Sequence, residues 1–175
     1  MADINDVKKE TVKAEAPALI QLFEIDLTFF GGGIQYLASD TTPSYEKIIF
    51  GDTQYNPFPI AITGISESID GAPARPQLIV SNVNKLFAAL VYANSDILGA
   101  KITYIRTFSN YLNLGAGQRP RMPDLKFVIG QKLKHDRQLL MFSLRRPTDK
   151  ENAYHPKRQM LRKQFPGLGT NKRVR

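Results

Sequence analysis

The chain has 175 residues, 42% of them hydrophobic and 10% aromatic, and a formal net charge of +8. This is the length of about one domain with room for a sizeable core, too apolar to be wholly disordered, and no apolar run nears the roughly 20 residues that cross a bilayer. The complete lack of cysteine excludes disulfides, thiolate metal sites and cysteine nucleophiles, and two histidines, His135 and His155, leave little for metal or acid-base chemistry.

The charge is unevenly distributed. Residues 1–118 hold eight Lys and Arg against twelve Asp and Glu, a net −4, whereas residues 119–175 hold sixteen against four, a net +12. An acidic body with a basic end lets identical copies attract one another head to tail. The same asymmetry also suits a nucleic-acid arm, and charge alone leaves both open.

The first eighteen residues alternate charges where a secretory signal would need an apolar block, and Pro17 limits any helix among them. They read as an arm that orders only against something. From Leu19 to Phe30 the sequence alternates, with Leu22, Glu24, Asp26 and Thr28 on one side and Phe23, Ile25, Leu27 and Phe29 on the other. That period of two predicts a strand with one buried face. Gly31, Gly32 and Gly33 allow a reversal into a second strand over 34–39. A phosphate-cradling loop would need a Lys-Ser or Lys-Thr pair and then a helix, and neither follows the glycines.

EKIIFGD reads as a short strand. In QYNPFPIAITGISESI, Pro57 and Pro59 cannot donate to a ladder, so the chain should join the sheet at an edge or through a bulge before continuing as strand. DGAPARPQLIVSN then predicts a stiff hairpin tip, with Pro73 and Pro76 holding the backbone extended around Arg75, followed by a strand. In NKLFAALVYANSD the spacing of Leu86, Phe87, Leu90 and Val91 changes to three and four, which predicts a short helix capped by Ser81 or Asn82. KITYIRTFSNYL returns to strand. NLGAGQRPRMPD reads as a long exposed excursion marked by Arg119 and Arg121. LKFVIGQKL and RQLLMFSLRR form an antiparallel pair through the turn KHD. From Lys150 onward eight positive residues face one negative, a basic tail in which PKRQMLRKQ could make one or two helical turns starting at Pro156. The expected fold is mostly β, an antiparallel sandwich or split barrel over 19–148 with one short helix, flanked by an N-terminal arm over 1–18 and an extended basic arm over 149–175.

The chemistry-bearing candidates have plain readings. Glu24 and Asp26 share a strand face, as acid-base carboxylates would, yet alternating strands routinely carry charge on their wet face. His135 beside Asp136 sits in a predicted turn without a framed serine. The basic tail interleaves only Tyr154 and Phe165 with its cations, thin for a surface that stacks bases. No catalytic residue, metal ligand or cofactor is expected.

Three stretches in order, FEIDLT over 23–28 with the glycines after it, QYNPFPI over 54–60 and ARPQLIVSN over 74–82, resemble the minor tail protein L family of lambda-like, long-tailed phages. The resemblance spans roughly residues 19–148. It implies a non-enzymatic structural component of the tail tip, made in the host cytoplasm and carried in the virion. Its expected partners are further copies of itself in a ring, with a trimer as the expected size, the distal tail protein, the central hub or fibre protein and the tape-measure protein. DNA would pass through without specific binding, and membrane binding is not expected. Longer members continue into a cysteine-rich domain with an iron-sulfur cluster, which this chain has no cysteine to hold. The interface residues expected are Arg75, Pro76, Ser81 and Asn82 in a shape-fixing hairpin near a subunit contact, Arg119 and Arg121 on the excursion, and Lys157, Arg158, Arg162 and Lys163 as an intersubunit clamp. The alternative function is a basic-tailed nucleic-acid-binding β domain.

Overall fold

The structure, a computed structural model, describes residues 7–9, 11, 17–39, 48–65, 75–83, 85–112, 119–148, 161 and 163–166. The strands are β1 (Leu19–Asp26), β2 (Ile34–Ser39), β3 (Ile48–Phe50), β4 (Thr53–Phe58), β5 (Ile60–Thr63) and β6 (Gln77–Ser81). After the helix α1 (Leu86–Ala93) come β7 (Lys101–Phe108), β8 (Leu125–His135) and β9 (Leu139–Arg145). They form one nine-stranded sheet in the order β3-β4-β2-β1-β7-β8-β9-β6-β5. The described residues are mostly β, as the sequence predicts, with few helical segments: α1, three 3-10 turns and residues 7–9. The fold is a single sheet instead of the two packed sheets of a sandwich, and the pair β2–β4 is parallel while the others are antiparallel.

Chain length forces this sheet to curl. β4 pairs with β2 through Asn56, Pro57 and Phe58, and β5 pairs with β6 starting at Ile60. Only Pro59 separates the two strands, so Phe58 and Ile60 lie at most about 7 Å apart. The two ends of the sheet are therefore joined, and β5 comes to lie against β2. The interior is one cluster fed from around the curl: Phe23, Leu37, Ile60, Leu78, Ile102, Phe127 and Phe142 are all buried in it. This is the barrel alternative, with β4 and β5 acting as one strand bent at the proline. Pro57 costs the ladder little, because β3 pairs only with Thr53, Gln54 and Tyr55 and, among the described residues, no strand pairs with Pro57 on that side.

The outside of the curl is also buried in part. Ile20 and Leu22 of β1, Ala38 of β2 and Ile105 of β7 pack against Ile48, Phe50 and Tyr55 of the β3–β4 hairpin, which folds over them as a flap. The alternation in β1 is as expected, but both of its faces are covered, because the strand lies between β2 and β7 beneath the flap. The strand also stops earlier than the alternation suggests. Thr28–Phe30 is a 3-10 turn, and Phe29 is 89% exposed, outside the core to which its parity assigned it.

α1 closes one end of the barrel with Phe87, Ala88 and Val91; the side chain of Leu86 lies outside the described set. Neither expected cap is used. Lys85 occupies the N-cap position in a left-handed conformation, with no side-chain cap, while Asn82 turns to β8 and β9. At the N-terminus, residues 7–9 are helical and Val7 is buried. The tip of the β5–β6 hairpin, with Pro73, lies outside the described residues.

Phe142 is central to the interior, whereas Ile49 sits 48% exposed on the outermost strand. Phe142→Ala is expected to lower the unfolding free energy by about 3–5 kcal/mol. Ile49→Ala should change it by less than about 1 kcal/mol. Urea denaturation of the two variants checks the assignment of inner and outer positions.

Candidate functional site

The polar residues of the flap form a linked set. Glu24 stands on the outer face of β1, and the flap places the fully buried Tyr55 over it, so that the Tyr55 hydroxyl donates to Glu24 Oε1 at 2.6 Å. Burial first, and then the bond to the carboxylate, hold the Tyr55 phenol well above its ordinary value of 10.0, with Arg119 acting weakly in the opposite direction. Arg119 Nη2 donates to Thr53 Oγ1 at 2.8 Å. Its side chain lies across Gly51, where φ is +63° and a Cβ would collide with the guanidinium and its stem. Asp26 is used locally: its Oδ1 accepts from the Thr28 amide at 3.0 Å and from the Thr28 hydroxyl at 2.5 Å, which pulls its pKa down.

The expected interface residues separate. Arg75 is exposed, but Pro76 is buried and its carbonyl accepts from the Leu144 amide at 2.8 Å. Ser81 is half-buried and donates its amide to the Pro59 carbonyl at 2.9 Å. Asn82 is 4% exposed and ties β6 to the β8–β9 turn, its amide on the Gln138 carbonyl at 2.9 Å and its Nδ2 on the Asp136 carbonyl at 2.8 Å. These contacts fix shape from inside the fold. The described return limb of the excursion is likewise packed: Pro120 is buried and accepts from Thr107 Oγ1, Met122 donates its amide to the Arg106 carbonyl, and Arg121 pairs with Asp124 at 2.9 Å. Residues 113–118 lie outside the described set. So do Lys157, Arg158 and Arg162. Lys163 is exposed within a turn in which the Leu161 carbonyl accepts from the amides of Gln164 and Phe165.

The end of the barrel closed by α1 carries charged and aromatic groups of which the sequence singles out only His135 and Asp136. Past its pairing with β7, β8 takes two register shifts against β9 and runs beside α1. There Lys132 pairs with Asp96 at 2.7 Å, Lys134 pairs with Asp136 at 2.7 Å, and the His135 ring stands 5.8 Å from that of Tyr92. Asp96 and Ile97 both have positive φ, a reversal that turns Ile97 into the core and leaves Leu98 exposed. Phe29, Ile34, Tyr92 and Leu98 are all exposed in this region, where Gly32 abuts Asn94. The signal available in the sequence was the break of the β1 alternation at the glycines.

The groups weighed for catalysis do not converge. Glu24 lies under the flap, Asp26 caps a turn, and His135 ends β8 beside α1. The acidic and basic halves of the sequence are also not two bodies. Residues 119–148 carry eight Lys and Arg against two Asp and Glu, and β8 and β9 lie within the sheet. Residues 19–148 as a whole hold thirteen against ten, a net +3.

Two outcomes follow from the flap. Tyr55→Phe leaves a half-buried carboxylate without its donor and should cost about 1–3 kcal/mol. Because the phenol pKa is raised on folding, the stability it contributes is complete below pH 10.0 and falls as the pH rises above it. The alkaline loss of stability in the parent protein should therefore be reduced in the variant, as read by denaturation at pH 8 and about pH 11. Gly51→Ala should destabilise by about 1–3 kcal/mol. Arg119→Ala in the same chain should recover part of that loss, and full additivity in a double-mutant cycle would refute the close approach.

Comparison with known proteins accords with this geometry. The profile of the phage minor tail protein L family matches residues 28–167. The tail tip protein L of Escherichia phage lambda is 25% identical over 169 residues, covering 90% of this chain and 73% of that protein. With the family pattern running from the 3-10 turn after β1 to beyond β9, the chain belongs to the phage minor tail protein L family.

Proposed function

We propose that the chain is a structural building block of the phage tail tip, one subunit of a ring that joins the distal tail protein to the central hub or fibre protein. The ring surrounds the path of the tape-measure protein and the DNA. The family match across residues 28–167 carries the reading, and the relative's name, a tail tip protein, supports the position. The geometry fits a part that holds shape. Glu24, Tyr55, Asn82 and Arg119 are all engaged in bonds between distant strands or loops, and a curled sheet with part of its outer face covered by the flap keeps two apolar clusters buried.

In this reading Lys157, Arg158, Arg162 and Lys163 clamp the neighbouring subunit. The net +3 of residues 19–148 leaves the passage of DNA to a locally acidic face, since a uniformly basic wall would hold phosphates. Neutralising the four clamp residues together should weaken ring assembly about tenfold, with the parent ring losing the same advantage as salt is raised. Sedimentation of the purified chain over a salt series reads this, and unchanged assembly removes the clamp. Mass spectrometry of purified virions tests the reading itself. Absence from tails, together with steeply salt-dependent DNA binding by a monomer, would replace it with the nucleic-acid binder.

A further inference from the structure

We propose that Arg106, on the inward face of the barrel wall with Gln21 beside it, receives the carboxylate of an aspartate or glutamate side chain from a partner protein. The chemistry of the site stands on this chain alone, and only the source of the carboxylate rests on the tail-tip reading above.

Two adjoining strands supply the site. β1 and β7 pair without interruption from Asp26 opposite Lys101 to Leu19 opposite Phe108, so the residues that share a face follow in steps of two. Ile25 and Ile102 are partners, then Phe23 and Tyr104, and all four lie in the interior cluster. The rings of the second pair stand 5.2 Å apart. The next pair on that face is Gln21 and Arg106, both half-buried. A wall that is apolar for two rungs thus turns polar at the third, where a cation stands next to an amide.

Arg106 is held in place but not neutralised. Its carbonyl accepts from the Met122 amide at 2.9 Å, and its guanidinium carbon lies 5.9 Å from the centre of the Tyr104 ring, at the outer limit of a cation–π contact. Its Nε is enclosed and has no hydrogen-bond partner. Among the described residues no acid pairs with the guanidinium, and Asp124, on the segment that Met122 anchors, is taken by Arg121 at 2.9 Å. A stem packed on an aromatic ring with its head in water would account for the terminal nitrogens of an arginine. It does not account for Nε, because an enclosed N–H of a charged group is costly without an acceptor.

The acceptor that suits this group is a carboxylate. It is planar, carries one charge, and takes two parallel bonds from one edge of a guanidinium; Gln21 carries a further N–H donor on the same rung. A phosphate would bring about two negative charges to a place with one unpaired cation. In a tail tip, the carboxylates at hand are side chains of the neighbouring proteins.

The test follows the Nε–H resonance of Arg106 in the isotope-labelled full chain, assigned by its loss in Arg106→Met. Acetyl-glycyl-aspartyl-glycinamide and sodium acetate should each move it saturably, whereas sodium chloride and inorganic phosphate at the same ionic strength should not. An equal response to chloride or phosphate, or no response to the peptide, would mean a hydrated side chain only and overturn the site. Arg106→Met removes the charge and keeps the stem, so it should hold or raise the midpoint of thermal unfolding, by up to about 4 °C. A fall would make Arg106 a structural member of the wall and also overturn the proposal. In particles the same variant should lower the infectious yield at least about tenfold, the scale of breaking an enclosed charge pair between proteins. Normal yield from the folded variant would refute a partner protein as the source. Absence of the chain from particles carrying the unsubstituted sequence would defeat the tail-tip reading instead, with the resonance result left standing.

Discussion

A single proline between β4 and β5 couples the two ends of the sheet, and most of the architecture follows from that short tether. Open sheets of nine strands twist and leave two edges exposed. Here the chain leaves β2's side at Phe58 and is already pairing with β6 at Ile60, so the sheet has no freedom to stay open. Closing it creates an inside, filled from all around the curl, and an outside that must be covered wherever it is apolar. The β3–β4 flap is that cover. The local effect of Pro57 and Pro59 is only to remove two donors; the global effect of their position is to set where the barrel closes.

The flap explains why the motif stretches carry the polar residues they do. Glu24 of FEIDLT receives the hydroxyl of Tyr55 from QYNPFPI, and Asn82 at the end of ARPQLIVSN binds the carbonyl groups of the β8–β9 turn by side chain and, through its amide, by backbone. Each of these groups is buried or half-buried, where a polar atom without a partner is costly. They are consumed in holding the fold and leave no free acid, base or nucleophile in a shared cleft among the described residues. The described surface instead carries exposed apolar side chains, Phe29, Tyr92 and Leu98 among them. That division, polar groups tied inward and apolar ones left outward, suits a part whose work is to keep its shape under load.

The end of the barrel closed by α1 holds the non-glycine residues with positive φ among those described, Lys85, Asp96 and Ile97. For a β-branched residue such as Ile97 this conformation is a true outlier. Its full burial within the main core offsets the strain and forces the chain to reverse just before β7. The reversal brings Asp96 to Lys132 and leaves Leu98 exposed, so packing of one isoleucine bears on which groups this end presents.

Period-two and period-three-to-four patterns mark most of the strands and α1, because each pattern is a local property that any burial on one side enforces, but they miss where β1 ends and that 53–58 is a strand of its own. The glycine reversal after β1 was legible for the same reason. The amino-acid order was silent on which side of β1 would be covered, because a strand face is wet or dry according to what folds over it, and the flap comes from residues 48–55. Arg119 reads as the mark of an exposed excursion and Asn82 as a helix cap, yet both tie distant segments together, since a partner more than fifty residues away decides whether a polar group needs water. The charge halves counted along the chain dissolved once β8 and β9 joined the sheet, for charge is felt through space. Local periodicity thus determined what the elements are, and only the closure of the sheet decided which faces, charges and side chains are left for other proteins to meet.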